Sequence, residues 1–322
     1  MAAATLEIED LSIAIDGRKV SRLVVDRVSL TVAPGEIVAV IGESGSGKTL
    51  TALAVLDLLP RQARLAGGAI RLGGMEVAAL SRDRRRRLLG DRMAFVPQDA
   101  LRALNPTLPI SDQVGEPLVE HRGSSWQAAR RRSADLLRAV HLDRPEERAR
   151  EYPHQFSGGM QQRAMIAMGL ALEPELLVAD EPTTALDVTV QAQVIALLRE
   201  VRDGHGTSIL FITHDLGLVA DFCDRVYVMY AGRIVESGPV AAVFASPRHP
   251  YTRALMAATP SIAEPQRLDS IPGQIPPLDE VVRGCIFAAR CPRAADRCRD
   301  DPPFFEMGPR HAVRCWFPYG PS

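Results

Sequence analysis

The chain has 322 residues, 46% of them apolar, and a formal net charge of −1. That length accommodates one large α/β domain with a smaller appendage, and the near-neutral charge supplies no global field to draw nucleic acid or an anionic membrane surface. No apolar run approaches the roughly 20 residues of a spanning helix, and the first residues lack the basic start and apolar stretch of a signal peptide, so residence in the cytoplasm is expected, with membrane attachment left to a partner.

Strands are expected at 6–8, 11–15, 28–32 and 37–41, the last following a turn at Pro34 and Gly35. Alternation is clearest at Val28, Leu30 and Val32, the pattern of a half-buried strand. From 48 to 59, Leu50, Leu53, Leu56 and Leu59 step by three until Pro60 stops the run, which predicts a helix. Between strand and helix lie Gly42, Glu43, Ser44, Gly45, Ser46, Gly47, Lys48 and Thr49. They fit the phosphate-binding loop G-x-x-x-x-G-K-[ST] in its required context. Glycines let backbone N–H groups turn inward on phosphate oxygens, and the helix N-terminus adds the positive end of its dipole. Lys48 is expected on the β- and γ-phosphates and Thr49 on Mg2+. Arginine greatly outnumbers lysine, and Lys19 and Lys48 are the only lysines, so a retained lysine is informative.

The basic run at 82–87 is interrupted by Asp83, has Glu76 and Asp91 nearby and carries no aromatic residues, so it reads as a solvated helix face. The middle third is mostly helical: Trp126, Ala129, Ser133, Leu136, Leu137 and Val140 recur at helical spacing after candidate caps Ser124 and Ser125. Strands return at 176–179, 209–213 and 226–230, with a helical stretch at 190–202, an alternation that implies a largely parallel sheet. The first of these strands ends in Asp180 and Glu181. Two carboxylates are thereby expected at the carboxyl edge of the sheet beside the phosphate loop, Asp180 for Mg2+ through water and Glu181 as the base that orients or deprotonates attacking water.

After Gly238 the character changes: 14 of the 24 prolines and four of the five cysteines fall there. A separate, loop-rich region is expected, opening with a short helix near His249. Cys285, Cys291, Cys298 and Cys315 lie within about 31 residues, whereas Cys223 reads as an ordinary helix residue. Cytoplasmic thiols stay reduced, so metal ligation is the natural use for the four. Their spacings of 5, 6 and 16 lack the paired C-x2-C knuckles of zinc ribbons, and four thiolates suit a [4Fe-4S] cluster; both metals stay open on spacing alone.

Phe156, Ser157, Gly158, Gly159 and Met160, lying between the two phosphate motifs, resemble the LSGGQ signature of the ABC ATPase family. The resemblance implies an α/β fold of the ABC-type P-loop nucleotide-binding class, with a β subdomain, a RecA-like core and a helical subdomain, followed by a Pro/Cys-rich C-terminal extension. The cassette then occupies 1–245, its helical subdomain about 99–170, and the extension 246–322. ATP and Mg2+ are the implied cofactors. Ser157, Gly158 and Gly159 are implied to meet the γ-phosphate bound by the opposite subunit. Gln98 matches the Q-loop glutamine that senses Mg2+ and the γ-phosphate, Ala185, Leu186 and Asp187 match the D-loop, and His214 matches the switch histidine. Ile15 stands where the family stacks adenine on an aromatic side chain, so base stacking is weaker here.

Residues 98–106, 152–160 and 249–255 resemble the oligopeptide and dipeptide importer branch. This implies an ATP-hydrolysing subunit that powers import of peptides or related small solutes. Its implied partners are a second ABC ATPase subunit, commonly a related but different chain, two transmembrane permease subunits and an extracytoplasmic solute-binding protein. The implied place is peripheral, at the cytoplasmic face of the membrane. A non-transport ABC ATPase acting on nucleic acid or ribosomes is the alternative; the near-neutral charge speaks against nucleic acid as a partner. For the four cysteines the resemblance implies a [4Fe-4S] cluster of structural role, with a zinc tetrathiolate as the alternative.

Overall fold

The computed structural model describes residues 3–17, 21–184, 186–258, 271–276 and 283–320. In chain order its elements begin with β1 (Leu6–Asp16), β2 (Ser21–Val32), β3 (Ile37–Ile41), α1 (Lys48–Val55), β4 (Ala63–Leu72), β5 (Met75–Glu76), α2 (Arg82–Asp91) and β6 (Met93–Val96). Helices α3 (Ala100–Ala103), α4 (Ile110–Arg122), α5 (Trp126–Ala139), α6 (Pro145–Arg148) and α7 (Gly158–Leu170) follow. Then come β7 (Leu176–Asp180), α8 (Val188–His205), β8 (Ser208–Ile212), α9 (Leu216–Phe222), β9 (Arg225–Tyr230) and β10 (Arg233–Pro239). Last are α10 (Val240–Ala245), α11 (Pro250–Ala257), β11 (Phe305–Gly308) and β12 (His311–Val313). Two compact units form, each discontinuous in sequence: Met1–Leu6, Val32–Glu36 and Leu72–Phe211 make the first; Glu7–Thr31, Ile37–Arg71 and Ile212–Ser322 make the second.

In the first unit β6 and β7 run parallel, Met93 opposite Leu176, and β8 follows β7 in strand order. Every residue of β7 and β8 is buried. Their unbroken apolar sequences suit strands covered on both faces, unlike the alternating strands of a half-solvated sheet. Helices α4, α5 and α7 pack on one another. Helix α5 starts where expected: the Ser125 hydroxyl accepts from Ala128 N at 3.3 Å, and Ala129, Ser133, Leu136 and Leu137 form its buried face. Trp126 is a correction, since it sits on the first turn 44% exposed and outside that face. Ser133 donates to Ser111 O at 2.7 Å and to Ala129 O at 2.9 Å, so its hydroxyl joins α5 to α4 without an orphaned polar group. The arginines at 82–87 lie on α2, mostly exposed, as a solvated helix face requires.

In the second unit β3 and β9 pair in parallel, Val38 opposite Arg225. Strand β9 turns through Ala231 and Gly232, both at positive φ, into antiparallel β10. The expected strands at 6–8 and 11–15 are one strand, β1, with Asp10 at φ 46° inside it. Strand β1 lies between β2 and β4. Cys223 is also a correction: it caps α9 in extended conformation rather than lying within the helix.

The C-terminal region is rich in short turns and is joined to the strand that precedes it. Its strand β12 pairs antiparallel with β10, Val313 opposite Glu236, and β11 pairs with β12. The reason is local: Val313 and His311 are buried and need a covered strand edge. The expected helix at His249 is present as α11, capped by His249 itself, whose Nδ1 accepts from Tyr251 N at 3.0 Å. Glu236, fully buried on β10, accepts from Arg248 N, His249 N and His311 Nε2 at 2.8 to 2.9 Å. One carboxylate therefore ties β10 to α11 and β12. Among the described residues no helix is long and apolar enough to cross a membrane.

Candidate nucleotide site

The phosphate loop lies in the second unit, between β3 and α1. Gly42 has φ 151°, and a Cβ there would come within 2.0 Å of Met229 O; Gly47 has φ 103°, with Met229 Cε 2.8 Å from such a Cβ. Both positions need glycine because β9 passes directly behind the loop. Lys48 is 6% exposed and donates from Nζ to Gly42 O at 2.8 Å and Glu43 O at 3.0 Å. The ammonium is thus held at the loop by its own carbonyls. Ser46 is fully buried; its carbonyl accepts from Gly232 N at 2.8 Å, while its Oγ has no hydrogen-bond partner among the described residues. Ser44, Gly45 and Thr49 are exposed. His214 is exposed just beyond β8, one residue before Asp215, whose carboxylate caps α9. Ile15 is half-buried near the end of β1.

The first unit carries the carboxylates. Asp180 ends β7 and is 4% exposed. Glu181 follows at φ 47°, a left-handed backbone that non-glycine residues seldom adopt and that clusters at functional sites. Its Oε2 accepts from Gln98 Nε2 at 3.0 Å and from Thr184 Oγ1 at 2.9 Å. Structure thereby brings together Gln98 and Glu181, which lie 83 residues apart in sequence. Thr184 was not foreseen; its only sequence signal is a hydroxyl three residues after Glu181 in a turn.

The signature residues are in the same unit. Ser157 caps α7, its hydroxyl accepting from Met160 N at 3.4 Å, and Ser157 and Gly158 are exposed. A Cβ on Gly159 would stand 2.5 Å from Val190 Cγ1, so the close approach of α8 requires glycine. A cleft of about 520 Å³ opens beside this helix start, lined by Ser157, Gly159, His141, Arg163, Gln193 and Glu200. Asp187 caps α8, accepting from Val190 N at 3.0 Å, and is exposed. Of the D-loop match, Ala185 lies outside the described residues.

Two side chains from beyond residue 245 reach the phosphate loop, Tyr251 from the 249–255 segment and Arg290 from outside every motif. Tyr251 Oη accepts from Glu43 N at 2.9 Å, and Arg290 donates to both Glu43 carboxylate oxygens at 2.9 and 3.1 Å. Burial pushes the Tyr251 hydroxyl well above the ordinary tyrosine range, so it stays neutral there.

The four clustered cysteines are free thiols; Cys285, Cys298 and Cys315 are buried and Cys291 is half-buried. Cys285 N donates to Cys298 O at 2.9 Å, which brings those two turns together. Arg293 N donates to Cys291 Sγ and Phe317 N to Cys315 Sγ, each at 3.4 Å, and Phe287 N–H faces the Cys285 sulfur. Burial first, then the other thiols of the group, push Cys315 up to about 12. Burial and then neighbouring thiols push Cys285 and Cys291 up as well. Among the described residues no three Cys, His, Asp or Glu side chains are close enough to hold a metal ion.

Comparison with known proteins agrees with this geometry. The model of the family described as ABC transporter matches residues 25–184, and that of the oligopeptide/dipeptide transporter C-terminal region matches residues 235–298. The probable peptide ABC transporter ATP-binding protein y4tR of Sinorhizobium fredii is 46% identical over 97% of this chain and 94% of its own. The dipeptide transport ATP-binding protein DppD of Escherichia coli is 43% identical over 94% of this chain and 93% of its own. Among solved structures, the dimeric post-hydrolysis state of the ATP-binding cassette MJ0796, bound to ADP and Pi, matches with a TM-score of 0.66 at 26% identity, covering 73% of this chain and 98% of that one. Phosphate loop, strand-end carboxylates, signature helix and the matched C-terminal region together place the chain in the ABC transporter family, as an ABC ATPase of the oligopeptide/dipeptide branch.

Proposed function

We propose that this ABC ATPase powers the import of peptides or related small solutes, as the names of its relatives suggest. The observation that carries the nucleotide half is Lys48, held by the Gly42 and Glu43 carbonyls at the loop where phosphate oxygens would draw its ammonium. Thr49 and Asp180 would hold Mg2+, which would neutralise phosphate charge, with Gln98 placed to sense it. The Glu181 carboxylate, aimed by Gln98 and Thr184, is the base for the attacking water, and His214 holds the γ-phosphate. Exposed Ser157 and Gly158, beside an open cleft, suit a phosphate brought by a second cassette, so two such subunits would close around two nucleotides.

In this reading residues 1–245 form the cassette, with a helical subdomain at about 99–170, and 246–322 the extension. The second cassette is a related, different chain; two transmembrane permease subunits and an extracytoplasmic solute-binding protein complete the assembly, and the chain sits on the cytoplasmic face of the membrane. Cys285, Cys291, Cys298 and Cys315 would hold a [4Fe-4S] cluster, with zinc as the alternative. The N–H groups directed at three of the sulfurs, which favour the thiolate, support thiolate ligation. The sulfurs would have to draw closer to ligate one centre. Such a centre would brace the extension, and no step of ATP hydrolysis runs through it. Iron, sulfide and zinc analysis after anaerobic purification separates cluster from zinc.

Replacing Glu181 tests the hydrolytic assignment. Glu181→Gln, assayed in the assembled complex with the equivalent change in any partner ATPase, is expected to keep ATP binding and lower turnover about 10²-fold or more. Near-normal hydrolysis would remove Glu181 from that role.

A further inference from the structure

The first variable residue of the phosphate loop, Glu43, has all its polar groups occupied. Its N–H goes to Tyr251 Oη at 2.9 Å, its carbonyl takes Lys48 Nζ at 3.0 Å, and its carboxylate takes both arms of the Arg290 guanidinium. Tyr251 is fully buried and the Arg290 side chain only 6% exposed. Arg290 is held in turn: Nε donates to Pro272 O at 2.9 Å, Nη1 to Tyr230 Oη at 3.3 Å and Nη2 to Ile271 O at 3.3 Å. Its guanidinium lies 5.7 Å from the Tyr230 ring centroid. Phe287, 1% exposed, packs edge-on against Tyr230 and Tyr251 with centroids 5.1 and 5.4 Å away.

Electrostatics gives this arrangement a consequence for nucleotide binding. A carboxylate in a phosphate loop repels the triphosphate it must hold, unless a fixed cation cancels it. A bidentate guanidinium does so with defined geometry, which an ammonium cannot reproduce. The Tyr251 acceptor also fixes which way the Glu43 peptide faces, and so where the Gly42 and Glu43 carbonyls meet Lys48.

We propose that Arg290 and Tyr251 are positioning residues of the ATPase, which neutralise Glu43 and set the first turn of the phosphate loop, so that the region beyond residue 245 completes the nucleotide site. The proposal rests on Gly42 to Thr49 being the phosphate loop. Nucleotide affinity of the purified full chain, measured by displacement of a fluorescent ATP analogue, and KM and kcat for ATP in the assembled complex are the readouts. Arg290→Gln is expected to weaken ATP binding and raise KM about tenfold, with kcat within about twofold, the scale of a partly exposed charge pair losing one partner. Adding Glu43→Gln to Arg290→Gln should restore most of the lost affinity, because the double variant no longer carries the uncompensated carboxylate. Arg290→Lys should fall between, and Tyr251→Phe should raise KM about threefold by orphaning the Glu43 N–H.

An Arg290→Gln chain that binds ATP normally would overturn the proposal. So would one whose defect Glu43→Gln does not relieve, because a purely structural role is blind to the Glu43 charge. Lys48→Ala separates the two readings: if it leaves ATP affinity intact, the phosphate-loop assignment itself fails, whatever Arg290 does.

Discussion

The central strands and the segment from 283 to 320 stabilise chain by different means. Strands β3, β7, β8 and β9 bury every residue, with Val, Ile, Leu, Phe and Met supplying most of the contact. The C-terminal segment has short 3-10 turns, two short strands and few buried apolar residues, chiefly Cys285, Phe287, Cys298, Val313 and Cys315. It completes its packing with borrowed surface: Phe287 uses the rings of Tyr230 and Tyr251, and β12 uses the edge of β10. A region of this kind has order only while its host keeps its shape, and the host's loop residue Glu43 is in turn held by Arg290. The motif-bearing strands supply their own apolar burial, whereas the extension borrows part of its packing from them.

Two substitutions of equal chemistry would break or sharpen that contrast. Phe211 on β8 is fully buried and Phe287 is 1% exposed. Phe211→Ala should cost about 3 to 5 kcal/mol and lower the transition seen by both tryptophans, Trp126 on α5 and Trp316 in the extension. Phe287→Ala removes as much apolar surface, yet only the Trp316 signal, read in a Trp126→Phe background, should shift. Equal shifts of both probes in Phe287→Ala would make the extension part of the same cooperative core.

Acid should separate the regions more gently. Burial pushes His249 down to about 4, with Glu236 working the other way. An unfolded chain takes up this proton near 6.5, so between 6.5 and about 4 the unfolded state binds more protons and stability falls as pH falls. From pH 7 to 5 the loss from this group is roughly 2 kcal/mol. Thermal unfolding followed at Trp316 should show it, and His249→Asn, which keeps a capping acceptor for Tyr251 N, should flatten the slope. An unchanged slope would assign the acid sensitivity elsewhere.

The same contrast explains what could be read from sequence. Lys48, Asp180, Glu181 and Ser157 were legible because their chemistry is tied to local spacing: a glycine loop before a helix, carboxylates after an apolar strand, a serine at a helix cap. Strands 37–41 and 176–179 were legible because burial on both faces leaves unbroken apolar runs. Pairs made by the fold were not legible. Gln98 and Glu181 are 83 residues apart, Arg290 and Glu43 are 247 apart, and no periodicity links either pair. The attachment of the C-terminal region to β10 was not legible for the same reason. Proline and cysteine content describes what the segment lacks, whereas its attachment depends on the β10 edge and on Glu236, a buried acid that sequence alone reads as a surface residue.

The smallest expected effect concerns two aspartates that look alike in sequence. Asp112 on α4 meets Arg130 of α5 in a bidentate pair at 2.6 and 2.9 Å, and that bond holds its carboxyl below the usual range; Arg130 is 55% exposed. Exposed pairs of this kind contribute about 0.5 kcal/mol and fade with salt. Asp301 in the extension instead meets Arg27, Arg233 and Arg314 at 2.7 to 3.1 Å, the last two with side chains only 15% and 11% exposed. Burial lowers the Arg314 pKa, and Arg233 and Arg27 push the same way, so Asp301 and Asp26 are what keep three cations together. Asp301→Asn leaves those cations with Asp26 alone and should cost about 1 to 2 kcal/mol, after discounting for the third of Asp301 that remains exposed. Asp112→Asn should cost at most about 0.5 kcal/mol and nothing measurable in 0.5 M salt, about where screening shortens to a few ångströms. Urea titrations of both variants at low and high salt decide it. If Asp301→Asn is also neutral in high salt, the extension is held by its borrowed apolar contacts and the β10 edge, and its ion pairs are surface decoration.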